Sequence, residues 1–132
     1  MNPIKLFVYG TLKRGWYNHH RLLTNSRFIG EATIKGKIYS MGGFPALKFL
    51  DNLKMENPPL VKGEVFEVDV VKDLPQIDRL EGHPNWYLRT FAVSSLGEVQ
   101  VYKYLPDNVG PLIESGEWTH ERPTRGDVFA NE

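Results

Sequence analysis

Short segments of β-strand character dominate this sequence, and they limit the folds that it can form. The alternation of apolar and polar residues, or a continuous apolar run, predicts strands over residues 4–9, 28–39, 61–68, 87–94 and 98–105. A helix is predicted over residues 72–80, and Gly82 and Pro84 lie where helices usually end. No strand-helix-strand unit is repeated, as a doubly wound fold would require. We therefore expect an α+β fold, a small mixed β-sheet or barrel with one or two short helices.

The length of the chain limits the number of domains, and its net charge limits the kinds of partner. A chain of 132 residues is expected to form one domain. The 16 Lys and Arg residues balance the 16 Asp and Glu residues, so the formal net charge is zero, which disfavours binding to nucleic acid or to an anionic membrane. Cysteine is absent, which excludes thiol catalysis, and no apolar stretch is long enough for a membrane span. We expect a cytoplasmic protein with its domain at residues 1–118 and a polar, partly disordered tail at residues 119–132; the composition leaves the oligomeric state open.

Several common catalytic motifs are missing. The segment 30–37 has five residues between its glycines, where a phosphate-binding loop has four, and no dinucleotide-binding or nucleophile-elbow motif occurs. His19 and His20 are adjacent, so their side chains point in different directions on a helix or a strand. With two other histidines and no cysteine, we expect no metal site.

Glu81 is the most informative charged residue. On a helical wheel started at Leu74, Ile77 lies about 60° to one side and Glu81 about 20° to the same side, so the carboxylate projects from the apolar face. Burial and the negative end of the helix dipole would both raise its pKa, which suits a general base and acid near neutral pH. The alternative is that the helix ends earlier and Glu81 points to water.

A glycine turn after the first predicted strand is the second candidate feature. Tyr9, Gly10, Thr11 and Leu12 form a strand end that passes into a turn, and consecutive N–H groups in such a turn can bind an anion. An ordinary structural turn is the alternative, since many strands end in glycine.

Together, the two features resemble the hallmark stretches of the γ-glutamylcyclotransferase family, and most closely its γ-glutamylamine cyclotransferase branch. The first stretch is L-F-V-Y-G-T-L-K-R-G at residues 6–15, followed by Asn18 and His19. The second is I-D-R-L-E-G-H-P-N-W-Y-L-R at residues 77–89, and further similarity lies at residues 63–68 and 101–104. The resemblance spans residues 6–118 and cannot be followed through residues 40–59.

The resemblance implies a cofactor-free enzyme that acts on a small γ-glutamyl substrate, an amine or a peptide. The reaction is an acyl transfer with ring closure, releasing 5-oxoproline and the free amine. Glu81 matches the family's catalytic carboxylate. The stretch from Tyr9 to Leu12 matches its substrate-binding loop.

Three other residues are candidates for the substrate site, and two functions other than cyclotransferase activity are alternatives. Tyr87, Arg89 and Tyr104 are further candidates for the substrate site, although an arginine on a strand more often forms an ion pair at the surface. The alternative function is a non-catalytic small-molecule-binding module of the same fold, which would not require a proton-transferring carboxylate. An RNA-binding barrel fits the number of strands but not the zero net charge.

Overall fold

The computed structural model describes residues 3–50 and 56–119, so nearly all of the predicted tail lies outside the described residues. The elements in chain order are β1 (Pro3–Val8), α1 (Tyr17–Leu22), β2 (Arg27–Lys35), β3 (Lys37–Ser40), β4 (Pro45–Lys48), β5 (Leu60–Asp69), α2 (Leu74–Glu81), β6 (Tyr87–Ser94) and β7 (Gly97–Tyr104). None of the helices in this part of the chain has the length and apolar character needed to cross a membrane.

Five strands form one mixed sheet in the order β2-β5-β1-β7-β6. β1 is antiparallel to β5 and parallel to β7, and β6 and β7 form an antiparallel hairpin around Ser95 and Leu96. The prediction of an α+β fold, a small mixed sheet or barrel with one or two short helices, is therefore confirmed, and the helices are two.

The two edges of this sheet approach each other. The N–H of Ser95, in the β6–β7 turn, donates to the carbonyl of Thr33 on β2 at 2.9 Å, and the N–H of Thr33 donates to the Ser95 hydroxyl at 3.0 Å. The sheet therefore curls toward a barrel, and the shielded edges are less available for pairing with other chains.

The strand predicted over residues 28–39 is in fact two strands. β2 ends at Lys35, and β3 begins after Gly36 and pairs with β4 in a separate two-stranded sheet. A Cβ at Gly36 would lie 3.1 Å from the carbonyl oxygen of Lys48, so glycine allows the backbones to approach closely where the chain changes sheets.

β1 is buried on both faces, as its continuous apolar sequence predicts. Leu6 and Val8 pack into the apolar cluster beneath the helices, whereas Phe7 packs into the cluster inside the curled sheet. The end of β1 is consequently fixed from both sides, and so is the start of the loop that follows it.

Helix α2 packs against the sheet through Leu74 and Ile77, which are almost fully buried. Pro75 occupies the first turn, where its missing N–H costs no hydrogen bond. The helix ends at Gly82, whose φ of 67° is left-handed and whose N–H donates to the carbonyl of Arg79 at 3.2 Å. It thus extends one residue beyond the predicted end and includes Glu81.

Candidate active site

A cavity of about 660 Å³ lies between the loop after β1 and the C-terminal end of α2. This volume is within the range of small-molecule sites, roughly 300–1,000 Å³. The lining residues come from β1 and its loop, α1, the segment before β4, the end of α2, and β6 and β7. The predicted site residues that line it are Tyr9, Gly10, Thr11, Leu12, Glu81, Tyr87 and Tyr104.

Close packing fixes the loop at Gly10. A Cβ at this position would lie 2.7 Å from Cδ and Cγ of Pro45, at the start of β4, so a larger residue would force the two segments apart. The carbonyl of Gly10 accepts a hydrogen bond from the N–H of Lys13 at 3.0 Å, which closes a turn.

Helix α1 holds the rest of the loop. The amide Nδ2 of Asn18, a buried residue, donates to Oγ1 of Thr11 at 2.9 Å, and Nδ1 of His19 lies 3.0 Å from the carbonyl of Leu12. The N–H groups of Gly10, Thr11 and Leu12 donate no hydrogen bond to any of the described residues. Three successive donors therefore remain available in a loop that lines the cavity, as an anion-binding turn requires.

Glu81 is the last residue of α2, and it lines the cavity together with β1 and the loop after β1. Part of the residue is accessible to solvent, but protein atoms surround its carboxyl group. Burial, and to a smaller extent the negative charge of Asp78, raise the pKa of Glu81 from 4.5 to about 7. The carboxyl accepts no hydrogen bond from the described residues that would stabilise its charge.

Asp78, which the sequence prediction missed, has the opposite surroundings. Its carboxylate accepts hydrogen bonds from Nε and Nη2 of Arg89 at 2.9 and 3.1 Å, and from the Tyr102 hydroxyl at 2.5 Å. Burial alone would raise the pKa of Asp78, but these hydrogen bonds and the charge of Arg89 outweigh it and hold the pKa below its usual value. Asp78 stays ionised and adds a negative charge one helical turn from Glu81.

Arg89 does not line the cavity. Besides Asp78, its guanidinium donates to Oε1 of Gln100 at 2.6 Å, and these bonds turn it toward the protein. The structure thus places Arg89 as the partner of a protein carboxylate, the alternative that its position on a strand favours.

Tyrosine side chains form much of the inner wall. The hydroxyl of Tyr9 donates to the carbonyl of Tyr102 at 2.7 Å, and the hydroxyl of Tyr87 donates to the carbonyl of Pro45 at 2.8 Å. Burial raises the pKa of Tyr9, Tyr87 and Tyr102, so all three stay neutral in the physiological range. Glu81 is therefore the lining residue best suited to exchange protons near neutral pH.

Spacing in the sequence contains a signal for Asp78, since a carboxylate three residues before Glu81 lies on the same side of a helix. The contacts of Pro45 and Tyr102 have no such signal, because they join residues far apart in the chain. Within the described residues, no three His, Cys, Asp or Glu side chains form a group that could hold a metal ion.

Comparison with known proteins gives concordant matches in sequence and fold. Residues 6–120 match the family model described as "Gamma-glutamyl cyclotransferase, AIG2-like". A protein of Methanocaldococcus jannaschii named "Putative gamma-glutamylcyclotransferase MJ1514" is 39% identical over 121 residues, covering 89% of this chain and 97% of the relative. The gamma-glutamylaminecyclotransferase of Bos taurus is 32% identical over 125 residues, covering 87% and 70%. The crystal structure of an AIG2-like protein from Mus musculus superimposes with a TM-score of 0.65 and 24% identity over 95% of this chain and all of that one, which shows the shared fold.

Proposed function

The chain belongs to the gamma-glutamyl cyclotransferase, AIG2-like family, and on that premise we propose that it cyclises a γ-glutamyl amine or peptide, releasing 5-oxoproline and the free amine. One observation carries the proposal. The same cavity is lined by a loop with three successive N–H groups that donate to none of the described residues, and by a buried carboxyl whose pKa is about 7.

The reaction needs no co-reactant, because nucleophile and electrophile belong to the same molecule. The α-amino nitrogen of the glutamyl group forms a bond with the γ-carbonyl carbon, and the bond from that carbon to the leaving amine breaks. Starting from the ammonium form, the α-nitrogen loses two protons, and the leaving nitrogen gains two as it departs as an ammonium ion. The protein's task is to fold the substrate back on itself and to transfer these protons.

Glu81 is the group proposed to transfer them. The α-amino group has a pKa of about 8 and must lose a proton before it attacks. A carboxyl group with a pKa of about 7 accepts a proton and returns it at the same pH, so Glu81 serves as base toward the α-nitrogen and then as acid toward the leaving amine.

The loop is proposed to bind the glutamyl end. The N–H groups of Gly10, Thr11 and Leu12 are oriented by the contacts of Gly10 with Pro45 and of Thr11 with Asn18. Such preorganised donors bind a carboxylate without ordering the loop at the moment of binding. Tyr9 supports the start of the loop through its hydrogen bond to β7.

The proposal is tested by incubating the purified protein with γ-glutamyl-ε-lysine and a panel of other γ-glutamyl amines and peptides, and measuring 5-oxoproline. Glu81→Gln keeps the size of the side chain but cannot accept the proton, so it should abolish most of the turnover. Glu98→Gln makes the same change at an exposed position outside the cavity and is the matched control.

Two outcomes would contradict the proposal. No product from any member of the panel, together with ligand binding that Glu81→Gln leaves unchanged, would favour a non-catalytic binding module. Product formation by Glu81→Gln at the parent rate would remove the role assigned to Glu81.

A further inference from the structure

The cavity changes character from its inner end to its mouth. The inner wall consists of buried residues, among them Val8, Leu12 and Tyr102. The mouth is lined by three apolar residues that are substantially exposed, Phe44 at 41%, Leu80 at 39% and Trp86 at 59%. A substrate with its glutamyl end at the loop would therefore direct its leaving amine toward the mouth.

Among the described residues that line the cavity, Arg79 carries the only positive charge and Glu81 is the only other charged residue. It is exposed, and its guanidinium makes no ion pair or hydrogen bond with the described residues. Arg89 differs from Arg79, since its guanidinium donates three hydrogen bonds, two to Asp78 and one to Gln100. Arg79 thus retains all its side-chain donors at the end of the cavity that faces the solvent.

We propose that Arg79 binds an anionic group on the leaving amine, so that the enzyme prefers γ-glutamyl amides whose amine part carries a carboxylate. This inference rests on the proposed function, because it assigns the glutamyl end to the loop. The planar guanidinium accommodates a carboxylate through two parallel hydrogen bonds. Phe44, Leu80 and Trp86 provide apolar surface for the aliphatic part of the amine on its way to Arg79.

Arg79 also lies in the last turn of α2, where a positive charge interacts favourably with the helix dipole. That role would stabilise the fold but would not distinguish one substrate from another. Substrate preference is therefore the property that separates the two roles.

The test compares three γ-glutamyl amides with leaving amines of equal chain length: ε-aminocaproic acid, hexylamine and hexamethylenediamine. The kcat/KM for 5-oxoproline release is measured for each compound with the parent, Arg79→Gln, Arg79→Lys and Lys72→Gln. Lys72 precedes α2, is exposed and does not line the cavity, so Lys72→Gln loses the same charge away from the site.

We expect the parent to prefer the anionic amine over the neutral one, and the neutral one over the cationic one. Arg79→Gln should lower the ratio of kcat/KM for the anionic over the neutral compound by about threefold to tenfold, Arg79→Lys should retain part of it, and Lys72→Gln should retain all of it. In the parent, added salt should weaken the preference, which tests the idea without any substitution.

Four results would overturn the inference, and they lead to three different conclusions. An equal loss with all three compounds would show that Arg79 holds the glutamyl end or supports the fold. In Arg79→Gln, an unchanged ratio with kcat/KM values close to those of the parent would remove its role in selectivity while leaving the proposed function intact, and so would a preference of the parent that does not respond to salt. Absence of product from all three compounds with the parent would overturn both proposals.

Discussion

Two carboxylates on helix α2, three residues apart, lie in opposite electrostatic surroundings. Asp78 accepts hydrogen bonds from Arg89 and Tyr102, and its pKa is lowered. Glu81 faces the cavity without such donors among the described residues, and its pKa is raised to about 7. Burial disfavours the charged form of both groups, more strongly for Glu81, and only Asp78 has hydrogen-bond donors that outweigh it.

This difference assigns a separate task to each group. Asp78 is held as a permanent anion, which orients the end of α2 against β6 and β7 and raises the proton affinity of Glu81. Glu81 has no hydrogen-bond partner within residues 3–50 and 56–119 and can exchange protons with a bound molecule. Pairs of titratable groups whose pKa values are pushed apart in this way are typical of acid-base sites.

The largest expected effect is the difference in kcat between a variant of Glu81 and a variant of Asp78. With a γ-glutamyl amine as substrate, Glu81→Gln should lower kcat by about 10²–10⁴-fold, the range for loss of a general base and acid. Asp78→Asn keeps Glu81 in place, so we expect a loss of about tenfold or less, since Asp78 acts only through its neighbours. Steady-state kinetics on both variants tests the distinction, and equal losses would contradict it.

The second effect is on stability as a function of pH. Between pH 4.5 and about 7, Glu81 holds its proton in the folded state and loses it in the unfolded state, so this group makes the free energy of unfolding fall as the pH rises. A pKa raised from 4.5 to about 7 corresponds to about 3 kcal/mol. Urea denaturation at about pH 4 and pH 8 should show Glu81→Gln gaining up to about 3 kcal/mol on the parent across that interval. A constant difference between the two proteins would show that Glu81 is not buried as described.

The sequence predicts the features of the site that depend on the spacing of residues within one helix. The position of Glu81 on the apolar side of α2 follows from helical periodicity, and the raised pKa follows from that position. The pairing of Asp78 with Arg89 depends on β6 returning beside the helix, and the packing of Gly10 on Pro45 depends on β4 crossing the loop. Contacts between distant segments leave no periodic pattern in one sequence.

The fold also has features that local sequence patterns predict and features that depend on contacts between distant segments. Alternation predicts the strands, and the cap at Gly82 predicts the end of the helix within one residue. The alternation of apolar and polar residues does not predict that Gly36 divides one strand between two sheets, because this division depends on the close approach of Lys48. The parallel pairing of β1 with β7 likewise joins two strands that are far apart in the chain, and only the assembled sheet reveals it.

A smaller effect tests Asp78 directly. Asp78→Asn should lower the free energy of unfolding by about 1–2 kcal/mol at neutral pH, because Arg89 loses a charged partner. The lowered pKa of Asp78 means that this contribution is present above the ordinary carboxyl range and is lost as the pH falls through the pKa of the folded state. The difference between parent and variant should therefore disappear in acid, whereas Asp107→Asn, at an exposed position, should make little difference at any pH.

The same variant should change the pH dependence of catalysis. Removing the negative charge of Asp78 lowers the pKa of Glu81, so the rising limb of kcat/KM, expected near pH 7 in the parent, should move to lower pH. A limb that stays in place would mean that Asp78 does not act on Glu81.

The smallest effect concerns Tyr102, which contributes one of the three hydrogen bonds to Asp78. Tyr102→Phe removes the hydroxyl but keeps the backbone carbonyl that accepts from Tyr9, and the two bonds from Arg89 still hold Asp78. We expect a loss of about 1 kcal/mol in the free energy of unfolding and a change in kcat/KM of less than about threefold. Tyr104→Phe is the control for stability, because the Tyr104 hydroxyl makes no hydrogen bond within the described residues. If Tyr102→Phe instead lowered turnover as much as Glu81→Gln, the loss would exceed the one expected for Asp78→Asn, so Tyr102 would act on the reaction by a route other than Asp78 and the tasks assigned to the two carboxylates would have to be revised.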